Sequence, residues 1–123
     1  MVEKQRASAG AYALLIYLSC RDSIEVGRLG LIEFPSGYYL YVGSALGGLK
    51  ARIARHLRPH KPLRWHIDYL AAVAPIVEVW WQAGADKLEC QWAALARGAP
   101  GTGTWVPRFG CSDCRCPSHL VHF

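Results

Sequence analysis

Short apolar runs separated by turn residues fill the amino-terminal part of the chain, and this pattern predicts β-strands. The expected strands are Ala11 to Ser19, Ile24 to Val26, Leu31 to Phe34 and Tyr38 to Val42. The second and third flank the glycine-containing segment 27–30 and should form a hairpin, and Pro35-Ser36-Gly37 predicts a turn before the fourth. Three or four antiparallel strands are therefore expected before Gly43.

After Gly43 a helix is expected from Leu49 to Leu57, where the apolar residues recur at every fourth position. Leu49, Ile53 and Leu57 have the spacing of one helix face, and Pro59 follows the helix that they predict. A second helix is expected over Trp65 to Val73, since Pro75 disfavours helical backbone at the residue before it.

The remaining elements are a strand and a third helix. Ile76 to Trp81 is short and rich in β-branched residues, which favours a strand. Asp86 is placed to cap a helix that runs to Arg97, where Gly98 ends it. Thr102 to Phe123 has little periodicity and is expected to be irregular. The whole is an α+β domain, in which a small central antiparallel sheet with an extra hairpin is flanked by helices.

The composition fits one folded domain. The chain has 123 residues, too few for two domains, and 52% of them are hydrophobic, which excludes wholesale disorder. Lys and Arg total 14 against 9 Asp and Glu, and the formal charge of +5 suits a polyanionic partner such as nucleic acid. Charge alone does not establish such a partner, because many basic proteins bind no nucleic acid.

The amino terminus does not predict export or membrane insertion. Residues 1–9 carry both charge signs without an apolar centre, so a flexible segment is expected there rather than a signal peptide. The longest apolar run, Ala11 to Leu18, is shorter than the roughly 20 residues of a membrane helix. We therefore expect a cytoplasmic protein without membrane contact, whose five cysteines are thiols or metal ligands rather than disulfides.

Two tyrosines are placed to meet at one end of the sheet. Tyr12 lies near the start of the first strand and Tyr41 near the end of the fourth. In an antiparallel pair the start of one strand lies beside the end of the other, so the two phenols are expected close together. Each tyrosine taken alone is better explained as a half-buried sheet residue.

The first helix adds cations near these phenols. Arg52 and His56 are four residues apart, so they share a helix face at the edge of the surface that meets the sheet. Arg52 alone is equally a surface or ion-pair arginine. Lys50, Arg55 and Arg58 point elsewhere, and they are either solvated or in contact with a nucleic-acid backbone.

Glu89, near the start of the third helix, is a candidate metal ligand. A carboxylate suits a hard cation such as Mg²⁺, which often takes only one or two protein ligands. Glu89 also stands three residues after Asp86, which is the spacing of a capping box. The spacing leaves both roles open.

In their order along the chain, these residues resemble the GIY-YIG nuclease superfamily. The motifs are Gly10-Ala11-Tyr12, Tyr41-Val42-Gly43, segment 48–52 with Arg52 at its end, and Leu88-Glu89. The chain is similar to the small stand-alone Uri-type branch, through segments 41–57, 65–70 and 112–120. The order of the tripeptides with the later arginine, histidine and glutamate is more specific than either tripeptide.

This resemblance implies hydrolysis of phosphodiester bonds on one divalent metal, Mg²⁺ or Mn²⁺. It implies that Tyr12 acts on the attacking water, that Tyr41 holds that water or the phosphate, and that Arg52 binds the scissile phosphate. His56 matches a position where the family places a histidine or tyrosine, and Glu89 matches the metal-binding glutamate. The implied partner is nucleic acid, with DNA favoured over RNA.

The same alignment of motifs suggests which residues contact nucleic acid. Ser44 stands where some members carry a lysine, which leaves the number of cations around the phosphate open. The expected contacts are Ser44, Lys50, Arg55 and Arg58. The gap between the two tripeptides is wider than usual, and the extra hairpin accounts for it.

If Tyr12 acts as a base, the site must lower its pKa. A free tyrosine has a pKa of about 10, so acting as a base near neutrality requires lowering it by about 3 units, or about 4 kcal/mol. A nearby metal and Arg52 are the candidate sources of this effect. If they do not suffice, Tyr12 only orients the water and the metal activates it.

The carboxy-terminal segment holds a second candidate metal site. Cys111, Cys114, Cys116 and His119 follow the pattern C-x2-C-x-C-x2-H, and sulfur with imidazole suits a structural zinc ion. The single residue between Cys114 and Cys116 is a tighter spacing than usual. Buried thiols that close the core, with His119 or His122 at the surface, are therefore the favoured alternative.

The aromatic residues are expected to serve the fold. Segment 65–69 should provide packing and the start of the second helix rather than a metal pair from His66 and Asp68, since residues two apart do not share a helix face. Most tryptophans should be core residues, with one or two exposed for stacking on bases.

Three functions remain open from the sequence. The favoured one is a metal-dependent endonuclease. The alternatives are a non-catalytic nucleic-acid-binding module on the same fold and a zinc-stabilised interaction domain.

Overall fold

The computed structural model describes residues 9–45, 47–84, 88–103, 106–111 and 116–123, and it confirms the expected α+β fold. Six strands and three α-helices lie in these ranges. The strands are β1 (Gly10–Leu18), β2 (Asp22–Val26), β3 (Gly30–Phe34), β4 (Gly37–Ala45), β5 (Ile76–Ala83) and β6 (Leu120–His122). The helices are α1 (Leu49–Leu57), α2 (His66–Ala71) and α3 (Glu89–Arg97).

The central sheet has four antiparallel strands in the order β5-β1-β4-β6. The apolar strand β1 is central, which explains why its residues are buried on both faces. Gly10 pairs with both Ala45 and Ala83, so the start of β1 lies beside the ends of β4 and β5. In this register Tyr12 stands opposite Gly43, and Leu14 stands opposite Tyr41.

The two faces of the sheet are covered by different helices. On one face, Tyr12, Leu14 and Ile16 alternate with residues of the opposite face and join a core cluster that includes residues of α1 and α2. Other buried members of this cluster are Tyr39, Tyr41, Leu49, Ile67, Leu70 and Phe109. On the other face, α3 packs against β4 and β6 and buries Ala93 and Ala96.

The hairpin of β2 and β3 forms a separate two-stranded sheet, closed by a 3-10 turn over Gly27–Leu29. It packs against α2 and contributes Val26 and Phe34 to the core cluster. The hairpin therefore increases the number of residues between Tyr12 and Tyr41 in the chain, and the sheet that contains both tyrosines stays continuous.

Several boundaries differ from the expected ones. Helix α2 is shorter than Trp65 to Val73, because the chain already turns after Ala71, where Val73 and Ala74 both donate to the Leu70 carbonyl. The segment expected to be irregular contains β6, which pairs with β4. Asp86, the expected cap of the third helix, lies outside the described residues, and α3 begins at Glu89.

Two tryptophans of the edge strand β5 are exposed, in agreement with the expectation of one or two exposed tryptophans. Trp80 is 45% exposed and Trp81 is 64% exposed, while Trp92 is half-buried and Trp105 lies outside the described part of the chain. In the described ranges, no helix has the length and apolar character needed to cross a membrane.

Candidate functional site

Tyr12 and His56 form the centre of the candidate site. Tyr12 Oη and His56 Nε2 lie 2.7 Å apart and share a hydrogen bond, although the residues are 44 positions apart in the chain. The Tyr12 phenol lies against Gly43, where an added Cβ would be 2.5 Å from both its Cζ and Oη atoms. The glycine of Tyr41-Val42-Gly43 therefore provides the space that the other tripeptide's tyrosine occupies.

Tyr41 lies on the same face of the sheet and completes a group of three polar rings. Its ring centroid is 6.5 Å from that of Tyr12 and 6.3 Å from that of His56. All three side chains are buried: Tyr12 is 1% exposed, His56 2% and Tyr41 8%. The two phenols thus lie close together, as the positions of their strands predict.

Arg52 lies at the half-buried edge of this group. Its Nη1 donates to the Ser44 carbonyl over 3.1 Å, and its guanidinium carbon lies 4.5 Å from the centroid of the Trp65 ring. The positive charge acts to lower the pKa of both Tyr12 and Tyr41, so it is within electrostatic reach of the two phenols.

Burial keeps the three rings uncharged. It raises the pKa of Tyr12 to about 12, with Arg52 only partly opposing the effect, and it raises the pKa of Tyr41 well above 10. Burial also lowers the pKa of His56 to about 4. The protein therefore shifts the Tyr12 pKa in the direction opposite to that required of a base, which favours a role in orienting water.

Arg55 and Asp68 form a buried ion pair behind the site. Two bonds of 3.0 Å join the Arg55 guanidinium to the Asp68 carboxylate, which is fully buried and also accepts the backbone N–H groups of Arg64 and Trp65 over 2.8 Å. Burial opposes ionisation of Asp68, but these bonds outweigh it and lower the pKa of the carboxyl. Arg55 is consequently engaged within the protein, whereas Lys50 and Arg58 are exposed.

Glu89 is the first residue of α3, after Leu88 as N-cap, so it does not stand at the third helical position that a capping box requires. The capping-box interpretation is therefore wrong. Its Oε2 atom is buried and has no hydrogen-bond partner among the described residues. A buried carboxylate oxygen is costly unless a cation or a donor meets it, so this oxygen fits a metal ligand.

The relation of Glu89 to the phenols is indirect. Helix α3 covers the face of the sheet opposite to Tyr12 and Tyr41. Within the described ranges, no hydrogen bond joins Glu89 to Tyr12, Tyr41 or Arg52. Two cavities of about 430 and 490 Å³ lie elsewhere on the described surface, and none of these four residues lines either one.

Three side chains form a cluster that could hold a metal ion. The ligand atoms of Cys90, Cys116 and His119 all lie within 4.8 Å of one another, and Cys90 Sγ is 3.7 Å from His119 Nε2. The sequence predicted Cys116 and His119 but missed Cys90, whose position on α3 carries no motif spacing to the carboxy-terminal cysteines.

The other predicted zinc ligands and the second candidate pair are placed differently. Cys111 is not a member of the cluster, and its thiol lies 3.4 Å from the Phe109 carbonyl. Cys114 lies outside the described residues. His66 accepts the Gly110 N–H at its Nδ1 over 2.8 Å, so segment 65–69 serves packing and the helix start, as expected.

Comparison with known proteins gives one match. The sequence model of a family described as "Domain of unknown function DUF123" matches residues 11–123, almost the whole chain. No curated protein matches the chain, and no solved structure does.

Proposed function

The chain belongs to this family of unknown function, DUF123, and we propose that it is a metal-dependent endonuclease that hydrolyses phosphodiester bonds in nucleic acid. The observation that carries the proposal is the contact of Tyr12 with His56 beneath Arg52. Three residues from positions 12, 52 and 56 thereby bring a phenol, an imidazole and a guanidinium to one end of the sheet. The resemblance of the motifs to GIY-YIG nucleases assigns the same residues to one site.

Arg52 has the role of binding the scissile phosphate. Its guanidinium is held by one carbonyl, that of Ser44, and by the face of the Trp65 ring. Exchange of this carbonyl for a phosphate oxygen gives the cation a stronger, charged acceptor.

Tyr12 orients the attacking water, and His56 fixes the phenol. With its pKa at about 4, His56 is neutral, and its Nε2 shares a hydrogen bond with the Tyr12 hydroxyl. The phenol oxygen has a second hydrogen-bonding position, at which it can accept a hydrogen bond from the attacking water. Tyr41 adds a second neutral hydroxyl on the same face, which suits contact with the phosphate or the same water.

Glu89 is the residue proposed to hold the divalent ion, and its buried oxygen without a protein partner in the described ranges is the support for this role. Mg²⁺ or Mn²⁺ is the ion proposed, because a carboxylate is a hard ligand; when bound, such an ion polarises the phosphoryl oxygens as a Lewis acid. Zinc fits the sulfur and imidazole ligands of Cys90, Cys116 and His119 better than it fits Glu89.

Nucleic acid, with DNA favoured over RNA, is the proposed partner. The support is the net charge of +5, the exposed Lys50 on α1, the helix that carries Arg52, and the exposed Arg58 directly after this helix. Arg55 contributes little to this surface, since its charge is already paired with Asp68.

The test is cleavage of labelled single-stranded, duplex and branched DNA and RNA, with Mg²⁺ or Mn²⁺ and with chelator. We expect chelator-sensitive cleavage of at least one substrate, and a fall of roughly 100-fold or more in Tyr12→Phe, Arg52→Ala and Glu89→Gln. Matched controls are Tyr17→Phe and Glu78→Gln, which alter exposed residues of β1 and β5. Full activity in Tyr12→Phe or Glu89→Gln would remove that residue from the mechanism.

The burial of Tyr12 and Tyr41 favours one second candidate, a non-catalytic nucleic-acid-binding module on the same fold. In that case the chain binds nucleic acid through α1 but cleaves none of the substrates with any metal. The same assay, read for binding as well as cleavage, separates the two functions.

A further inference from the structure

We propose that Cys90, Cys116 and His119 bind a structural zinc ion that fastens the first turn of α3 to the chain segment before β6. Cys90 is the second residue of α3, and the other two ligands lie in the segment that leads into β6. The ion would thus join two parts of the chain that are far apart in sequence.

The distances fit zinc. With Zn–S of about 2.3 Å and Zn–N of about 2.0 Å at a tetrahedral angle, a sulfur and a nitrogen on one zinc lie about 3.5 Å apart. Cys90 Sγ and His119 Nε2 are separated by 3.7 Å. The remaining ligand-atom distances are at most 4.8 Å, so a small movement of Cys116 brings all three within bonding distance of one ion.

The cluster is held on both sides by backbone contacts. The His119 carbonyl accepts the Val42 N–H of β4 over 3.0 Å, and its N–H donates to the Phe109 carbonyl over 2.9 Å. At the other end of α3, Arg97 Nη1 donates to the Ser118 carbonyl over 2.6 Å. A metal at Cys90 would therefore fix the start of a helix whose end is already joined to the same segment.

In the described part of the chain, the start of helix α3 has no side-chain cap. The helix has nine residues, its N-cap Leu88 makes no side-chain hydrogen bond, and its buried residues are the alanines Ala93 and Ala96. Isolated helices of this length are marginal in water, and two buried methyl groups contribute little apolar area. A thiolate–metal bond at the second residue would add a fixed point at the start of this helix.

The proposed zinc site neighbours two residues of the candidate active site, Glu89 through the chain and Tyr41 through Gly110. Glu89 immediately precedes Cys90, and the Gly110 backbone separates the Tyr41 ring from the His119 side chain, since a Cβ at Gly110 would lie 3.0 Å from Tyr41 Cε1 and 3.2 Å from His119 Cβ. The zinc would thereby position Glu89 relative to Tyr41. This second part rests on the proposed endonuclease function, whereas zinc binding does not.

The test is the metal content of the full chain, purified under reducing conditions with any affinity tag removed. We expect about one zinc per chain in the wild type and less than about a fifth of that in Cys90→Ser and Cys116→Ser. The control is Cys20→Ser, because Cys20 is exposed in the turn after β1 and its only described contact is Ser19. Zinc retained in Cys90→Ser, or none in the wild type, would overturn the proposal.

Two measurements keep the test decisive if a variant fails to fold. Cobalt(II) added to chelated wild-type protein should give thiolate-to-cobalt charge-transfer absorption, and removal of the metal should lower the Tm by about 10 °C. Non-reducing mass spectrometry of protein purified separately without reductant tests the competing arrangement, a Cys90–Cys116 disulfide, whose presence would contradict the site.

Zinc content and nuclease activity separate the two proposals. Stoichiometric zinc without cleavage of any substrate leaves the structural site intact and rejects the endonuclease. Cleavage by a wild-type chain that contains no zinc when purified rejects the zinc site and supports the endonuclease.

Discussion

At the level of single residues, the two tripeptides of the candidate site depend on each other through one close approach. The Tyr12 ring occupies the space beside Gly43 that any side chain would fill, and this packing directs the phenol toward His56. Any residue with a Cβ at position 43 must displace a phenol that is 1% exposed and has no adjacent space to enter.

We predict that Gly43→Ala destabilises the protein by about 1–3 kcal/mol, since overpacking of a filled core costs that much. Urea unfolding measures the change. Gly47→Ala is the matched control, because a Cβ there meets no atom within 4 Å, and its effect should stay within about 0.5 kcal/mol. Equal stability of the two variants would show that Tyr12 does not need the space at Gly43.

The sequence predicts some of these residue positions but not others. Tyr12 and Tyr41 could be placed together because antiparallel pairing fixes which strand ends meet. Cys90 could not be assigned to Cys116 and His119, since the path of the chain between α3 and β6 is not encoded in any spacing. The pairing of Arg55 with Asp68 could not be predicted either, since it joins two helices across a loop.

At the level of elements, Asp68 organises the connection between α1 and α2. Its carboxylate binds Arg55 of α1 and receives the N–H groups of Arg64 and Trp65 at the start of α2. The guanidinium carbons of Arg52 and Arg55 lie 4.5 and 4.1 Å from the centroid of the Trp65 ring. The position of Arg52 in the site therefore depends on a carboxylate that it does not touch.

We predict that Asp68→Asn costs about 3 kcal/mol of stability, because it leaves the Arg55 charge buried without its partner. Glu33→Gln is the matched control. It removes the ion pair with Arg21, whose side chains are 72% and 53% exposed, so its loss should change stability by less than about 1 kcal/mol. Thermal or urea unfolding of both variants provides the comparison, and similar losses would argue against a special role for burial.

Most elements follow from local pattern, and the errors have local causes. Helix α1 matches the predicted bounds because three apolar residues share one face and Pro59 follows. Strand β6 has only three residues, which is too short to show an alternation, and its pairing with β4 is a long-range contact. Helix α2 ends early because the chain turns after Ala71, where Val73 and Ala74 both donate to the Leu70 carbonyl.

At the level of the whole molecule, the protein buries several titratable groups in their neutral form, and this links its stability to pH. Burial lowers the pKa of His56 from 6.5 to about 4, and it lowers the pKa of His66 as well. The buried carboxylate of Asp68 acts in a separate range, because its lowered pKa makes its contribution disappear only below about pH 3.8.

We predict that stability falls as the pH drops from 6.5 toward 4. In this window the unfolded chain binds a proton at His56 and the folded chain does not, so acid favours unfolding. The free energy of unfolding stops changing with pH at this group once the pH passes below the pKa in the folded state. The loss at His56 alone should be about 2 kcal/mol between pH 7 and pH 5. Urea unfolding at pH 7, 6 and 5 measures it, with His56→Gln expected to reduce the slope and His60→Gln, at an exposed position, expected to retain it. A slope unchanged in His56→Gln would mean that the imidazole is not buried in its neutral form, and the hydrogen bond that fixes Tyr12 would then need a different donor and acceptor.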